Sequence, residues 1–92
     1  MSMQFVKMIQ FTRLVKAAGQ VREFNFRKLS NGIQPVFTVN VCNERGERII
    51  FNIQKKDNSW KIETPEVPQW VAQSEENLGA VIEDELSSGN WK

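Results

Sequence analysis

A chain of 92 residues, of which 40% are hydrophobic and 25% charged, has enough material for one hydrophobic core and too little for two. It contains no histidine and one cysteine, Cys42, which excludes an internal disulfide and argues against a metal site built from these residue types. The net charge of +1 is unevenly distributed, because residues 1–65 carry an excess of six positive charges and residues 66–92 an excess of five negative ones. We predict a single domain, 1–92, in which a basic sheet folds against an acidic C-terminal segment.

The apolar segments of the chain are all short. Gln10, Thr12 and Arg13 interrupt the apolar stretch near the N-terminus before the core of a signal peptide is complete. No segment approaches the roughly 20 apolar residues that span a bilayer. We therefore expect a cytoplasmic protein with no membrane association.

Apolar residues occupy every second position in three successive runs, the period of strands with one buried and one solvated face. The rows are Phe37, Val39 and Val41, then Ile49, Phe51 and Ile53, then Trp60 and Ile62. This pattern predicts an antiparallel β-meander over residues 21–64.

Turn residues fix a predicted register between these strands. A three-residue loop, 44–46, would place Gly46 in the left-handed conformation and pair Val41 with Ile49. A two-residue turn at Asp57 and Asn58 would bring Ile53 opposite Ile62. Upstream, a four-residue loop, 31–34, would set Phe26 beside Val39.

The N-terminal residues 3–18 fit two interpretations. Their apolar residues form a helical stripe, but residues 11–16 also fit a strand that joins the next one through a turn at 17–20. We favour the strand, which gives a meander of four to five strands.

From Pro68 the period becomes helical. The apolar positions are Val71, Leu78, Val81, Ile82 and Leu86, with acidic residues between them. We predict an amphipathic helix over 68–88, packed across the apolar face of the sheet, so that the fold class is α+β.

Residues that carry chemistry are sparse. Without histidine, tyrosine or a glycine-rich phosphate loop, only carboxylate or lysine chemistry remains, and no apolar pocket is indicated to shift a carboxyl pKa. We predict that the protein is not an enzyme and binds no cofactor or metal.

The segment 22–28 has aromatic residues at alternate positions beside basic ones, a pattern that can stack unpaired bases while it neutralises phosphate. It loosely resembles the basic-aromatic strand of RNA-recognition modules, although Glu23 and Asn25 stand where that motif has small residues. The predicted register places both phenylalanines on the face that the helix covers. The alternative nucleic-acid site, which would require these two rings to be exposed, consists of Arg22, Phe24, Phe26, Arg27 and Lys28.

The opposite face of the predicted sheet carries three asparagines at strand centres, where asparagine is disfavoured. The register sets Asn25 opposite Asn40 and Thr38 opposite Asn52, while the charges of that face nearly cancel. Two tryptophans bracket the helix and either seal the core or anchor an interface. The predicted partner site comprises Asn25, Arg27, Thr38, Asn40, Asn52, Trp70 and Trp91.

The strand at 22–29 and the turn at 43–46 give the chain a fold-level resemblance to small, uncharacterised bacterial α+β domains. That resemblance implies a fold and no activity. From the residues we expect an interaction domain that binds a protein partner or a second copy of itself through the polar sheet face or the tryptophan-bearing end. The alternative is a single-stranded nucleic-acid-binding domain.

Overall fold

A computed structural model describes residues 9–29 and 35–88 of the chain. They form a curled antiparallel sheet of five strands in sequence order, followed by two helices. The elements are β1 Gln10–Ala17, β2 Gln20–Leu29, β3 Val36–Cys42, β4 Arg48–Lys56, β5 Ser59–Ile62, α1 Gln69–Ala72 and α2 Glu75–Ser87. The predicted α+β meander with a C-terminal helix on one sheet face is confirmed.

Each described hairpin has the turn chemistry that its length requires. Gly46 has φ +80°, and its N–H donates to the Asn43 carbonyl at 3.0 Å, as expected for a three-residue loop. Asp57 and Asn58 have φ +50° and +70°, the two left-handed positions of a type I′ turn. The strands therefore meet in the predicted register, with Val41 opposite Ile49.

The remaining predicted pairs are also present. Ile53 lies opposite Ile62, and Phe26 lies opposite Val39. The predicted loop at 31–34 lies outside the described residues.

The ambiguous N-terminal segment forms a strand over Gln10–Ala17. β1 joins β2 through a two-residue turn at Ala18 and Gly19, whose φ angles of +55° and +75° also fit type I′ geometry. Its alternate residues Val15 and Ala17 are buried. Residues 3–8 lie outside the described part of the chain.

The predicted helix over 68–88 is interrupted. Pro68 precedes the four-residue α1, and residues 73 and 74 form a turn before α2 begins. Ser74 is buried, and its hydroxyl donates to the Trp70 carbonyl at 2.9 Å, which satisfies this polar group inside the bend. Val71 before the turn and Leu78 after it are both buried. The spacing of the apolar residues therefore does not reveal the interruption of the helix.

The core lies between α2 and one face of the sheet. α2 crosses that face from one edge of the sheet to the other: near its start the Glu75 carboxylate accepts the Ile62 N–H on β5 at 2.7 Å. Near its end Asp84 and Glu85 pair with Arg13 on β1 at 3.3 and 3.1 Å. The buried apolar residues are Val15, Ala17, Phe24, Phe26, Phe37, Val39, Val41, Phe51, Ile53, Trp60, Val71, Leu78 and Ile82.

Gly79 sets how closely α2 approaches β5. A methyl group added at this position would lie 2.8 Å from Trp60 Cβ and 2.9 Å from its Cδ1. The Trp60 Cβ is fixed to the backbone of a paired strand, so it cannot move aside as the end of a flexible side chain can. Glycine at this helical position is therefore required by the contact.

We predict that Gly79→Ala destabilises the protein, although alanine in place of glycine within a helix ordinarily stabilises by about 1 kcal/mol. Overpacking against Trp60 should reverse the sign and leave a loss of about 1–3 kcal/mol in the free energy of unfolding, measured by urea denaturation. The neighbouring Ala80 is exposed, so Ala80→Gly should lose only the propensity difference of about 1 kcal/mol. A Gly79→Ala protein more stable than the wild type would contradict this contact.

Candidate functional site

The face of the sheet opposite α2 is uncovered by any described segment, and we call it the open face. Because side chains alternate along each strand, the helix-facing positions form the core and the intervening positions point to this side. All of them are exposed or half-buried. The open face consists of Gln10, Thr12, Leu14, Lys16, Val21, Glu23, Asn25, Arg27, Leu29, Val36, Thr38, Asn40, Cys42, Arg48, Ile50, Asn52, Gln54, Lys56, Ser59, Lys61 and Glu63.

A row of hydrogen-bonded side chains crosses three strands of the open face. The Thr12 hydroxyl donates to Asn25 Oδ1 at 2.6 Å, and Asn25 Nδ2 donates to Asn40 Oδ1 at 3.0 Å. The backbone register produces this row, because Thr12 lies opposite Asn25 and Asn25 lies opposite Asn40. The predicted pairing of the two asparagines is confirmed, and Thr12 extends it to β1.

A second row lies one pleat away. The Thr38 hydroxyl donates to Asn52 Oδ1 at 3.1 Å, and Arg27 lies directly opposite Thr38 on β2. The structure therefore brings together five of the residues predicted for a partner site. Cross-strand pairs of this kind contribute roughly 0.2–1 kcal/mol each, so the asparagines have a structural role as well as a position at the surface.

Three large apolar side chains are exposed among the described residues, and all three lie on the open face. Leu14 is 69% exposed, Val21 64% and Ile50 59%. Leu14 and Val21 are diagonal neighbours on β1 and β2, since Leu14 pairs with Glu23, while Ile50 lies opposite Asn40. The sequence prediction missed Leu14 and Val21 as surface residues. The favoured strand over 11–16 already contains Leu14, but its two faces were not assigned.

The charges of the open face do not nearly cancel, as the sequence analysis predicted that they would. The structure adds Lys16 and Lys56 to this side, and Glu63 forms an ion pair with Lys56 at 2.9 Å. Five basic residues thus face two glutamates, an excess of three positive charges. The basic residues are Lys16, Arg27, Arg48, Lys56 and Lys61, and the acidic ones are Glu23 and Glu63.

Trp70 packs against the hydrophobic core from its edge. It is half-buried, and the Arg22 guanidinium lies 4.5 Å from its ring centroid. Arg22 is held there by its own contacts, because its Nε donates to the Ala17 carbonyl at 3.2 Å and its Nη2 lies 3.6 Å from Glu44. This tryptophan seals the core more than it offers an anchor, and Trp91 lies outside the described residues.

The alternative nucleic-acid site is not assembled by the fold. Phe24 and Phe26 are 0% and 1% exposed, and Phe26 stacks on Phe11 with ring centroids 4.8 Å apart. Neither ring offers a face to a base. Arg27 lies on the open face, whereas Arg22 and Lys28 lie on the other side of the same strand. Alternation along β2 therefore separates the residues that a contiguous site would need.

The Glu83 carboxylate has a lowered pKa. Glu83 accepts a hydrogen bond from Lys55 Nζ at 2.6 Å and from Trp60 Nε1 at 2.9 Å. The hydrogen bond from Lys55, followed by the one from Trp60, lowers the pKa of Glu83 below its ordinary value of 4.5. The group therefore joins α2 to β4 and β5 as a stable anion. Within the described ranges, no three histidine, cysteine, aspartate or glutamate side chains are grouped to hold a metal ion.

Comparison with known proteins identifies no relative: no protein-family model matches the chain, and no curated protein or solved structure is significantly similar to it. The resemblance to small bacterial α+β domains therefore stays a prediction. Neither described helix has the length and apolar character needed to cross a bilayer.

We predict that Phe26→Ala unfolds the protein more readily, because it removes a fully buried ring that stacks on Phe11. A loss of about 3–5 kcal/mol in the free energy of unfolding is expected for such a truncation. The adjacent Arg27→Ala removes an exposed side chain and should change stability by no more than about 0.5 kcal/mol. Equal stability of the two variants, measured by denaturant titration, would show that Phe26 is not a core residue.

The lowered pKa of Glu83 predicts a stability loss in acid. A carboxyl group with a lower pKa in the folded state stabilises the fold above its unfolded pKa, and this contribution disappears as pH falls through the folded pKa. Thermal melts from pH 6 to pH 3 should therefore show a decline below about pH 4.5 that is smaller in Glu83→Gln. As a control, Glu76→Gln removes an exposed carboxylate of the same helix and should leave the acid dependence unchanged.

Proposed function

We propose that this protein is a non-enzymatic interaction domain that binds a protein partner through the open face. The observation that carries the proposal is the location of Leu14, Val21 and Ile50. Single exposed apolar residues are ordinary, but here all the strongly exposed large ones among the described residues share one face of a sheet. Interfaces combine such apolar contacts with polar groups at defined positions.

The asparagine and threonine rows supply those polar groups in fixed positions. Their hydrogen bonds hold the Asn25 and Asn40 amides before a partner arrives, so little side-chain entropy is lost on binding. The Asn40 and Asn52 amide nitrogens donate to no other described side chain. They are therefore available to accepting groups of a partner.

The excess of positive charge selects the kind of partner. Arg27, Arg48 and Lys61 have no acidic side chain paired with them among the described residues, whereas Arg13 and Lys55 on the other face are paired with α2. Complementary charges raise the rate of encounter and disfavour partners of the same sign. We infer that the partner presents an acidic surface with apolar residues within it.

A protein partner fits the open face better than a single-stranded nucleic acid does. Sequence-tolerant binding of single strands relies on aromatic side chains that stack on bases. The described aromatic rings lie on the helix side of the sheet or, for Trp70, at the edge of the core. The open face contains none of them. Apolar side chains such as Ile50 instead suit a protein surface.

The first test is a site-specific photo-crosslinker introduced at Ile50 in the native cell. We expect a discrete adduct, identified by mass spectrometry, whose yield falls at least tenfold when Arg27 and Arg48 are both changed to glutamate. The charge reversal turns a face that attracts acidic surfaces into one that repels them.

Two matched controls accompany this experiment. A crosslinker at Ala80, exposed on α2, should give no such adduct, and Arg45→Glu reverses an exposed charge in the β3–β4 turn without touching the open face. Thermal melts establish that every variant is folded. The same adduct from Ala80, or an adduct with nucleic acid alone, would refute the proposed function.

A further inference from the structure

We infer that β1 is a self-association edge, at which two copies of the chain pair their β1 strands antiparallel about a two-fold axis at Leu14. β1 is the outer strand of the described sheet, with β2 on its inner side. It is eight residues long, and its outward backbone groups have no partner among the described residues. An uncovered edge of this length is a template for a further strand.

The hairpin geometry identifies the outward groups. The two-residue turn makes Ala17 and Gln20 a hydrogen-bonded pair, and at the other end the Lys28 N–H donates to the Ile9 carbonyl at 2.9 Å. Odd-numbered residues of β1 therefore bond to β2. The N–H and C=O groups that point away from the sheet belong to Gln10, Thr12, Leu14 and Lys16.

The other outer strand is closed to such pairing. β5 has only four residues, and the N–H of its Ile62 is already donated to the Glu75 carboxylate at 2.7 Å. A very short edge strand, here with one edge N–H already bonded to a helix residue, is a common protection against association. The two edges of the same sheet thus differ, and β1 is the one that the described residues leave open.

The charges on β1 do not protect it. The Arg13 guanidinium is drawn to the helix side, where Asp84 and Glu85 neutralise it at 3.3 and 3.1 Å. Among the four residues with outward backbone groups, Lys16 alone is charged. One lysine near the end of a strand leaves its centre accessible.

The sequence of β1 favours a second copy in one register. Centred on Leu14, antiparallel pairing places Leu14 opposite Leu14 of the second copy, Thr12 opposite Lys16, and Arg13 opposite Val15. No like charges then face each other, and the most exposed apolar side chain of the strand is buried against itself. A shift of the axis to Arg13 would instead oppose two arginines.

This pairing is distinct from the proposed partner contact, because it requires the backbone edge of β1, although the Leu14 side chain belongs to both surfaces. The interface is small compared with those of stable dimers, so we expect association in roughly the 10–1,000 µM range and not at nanomolar concentration. Sedimentation velocity over this range should show a concentration-dependent dimer of the wild-type chain.

The decisive experiment exchanges charge at the two-fold axis. Leu14→Lys and Leu14→Glu each place like charges opposite one another and should weaken self-association at least tenfold. An equimolar mixture of the two variants places Lys opposite Glu and should restore a heterodimer. This rescue is specific to a register in which residue 14 faces itself.

Ile50→Lys and Ile50→Glu provide matched controls, since Ile50 is an exposed apolar residue of the open face on an inner strand. These variants should dimerise like the wild type, alone and mixed, and circular dichroism checks that all four variants are folded. The inference is overturned if the wild type stays monomeric throughout, if the Leu14 variants dimerise unchanged, or if their mixture remains monomeric. Loss of the dimer in the Ile50 variants would assign self-association to the open face instead.

Discussion

The fold depends on the hydrophobic packing of α2 across one face of the curled sheet. A helix of 13 residues is about 20 Å long, which matches the span of five strands spaced roughly 4.8 Å apart. α2 can therefore reach from Glu75 on the β5 side to Arg13 on the β1 side, with Gly79 set against Trp60. Burial of Leu78 and Ile82 contributes roughly 1.5–3 kcal/mol each and decides which face is covered. The other face remains open as a consequence.

The same helix neutralises basic residues on one side of the sheet and leaves those on the other side unneutralised. It brings Glu83, Asp84 and Glu85 over the covered side, where they pair with Lys55 and Arg13, so the acidic C-terminal segment neutralises the basic sheet at these points. The acidic residues of α2 do not reach the open face, where five basic and two acidic side chains leave an excess of three positive charges. Although the chain is nearly neutral overall, its described residues thus form a basic surface on one side of the sheet. The acidic character of the proposed partner is inferred from this separation of charge and not from the net charge of the chain.

Local patterns predicted most of the fold because the information for a meander is local. Alternating apolar residues set the strand faces, and the residues at Gly46, Asp57 and Asn58 fixed turn lengths, from which the register and the asparagine row follow. Residues 3–18 were ambiguous because their apolar residues fit both periods. The bend at Ser74 left no trace in the helical period. The charge of the open face was misjudged because it depends on Lys16 and Lys56, whose placement requires the complete strand boundaries.

Leu14 connects the two proposed interactions. Its backbone points to the free edge, whereas its side chain lies on the open face beside Val21. A two-fold axis between antiparallel strands is perpendicular to the sheet, so paired β1 strands would place both open faces on the same side. The Leu14 and Val21 side chains of two copies would then form one apolar strip across the joint, flanked by the asparagine rows. A partner that bridges this strip would contact both copies, and its binding would be tightened by the dimer through effective concentration.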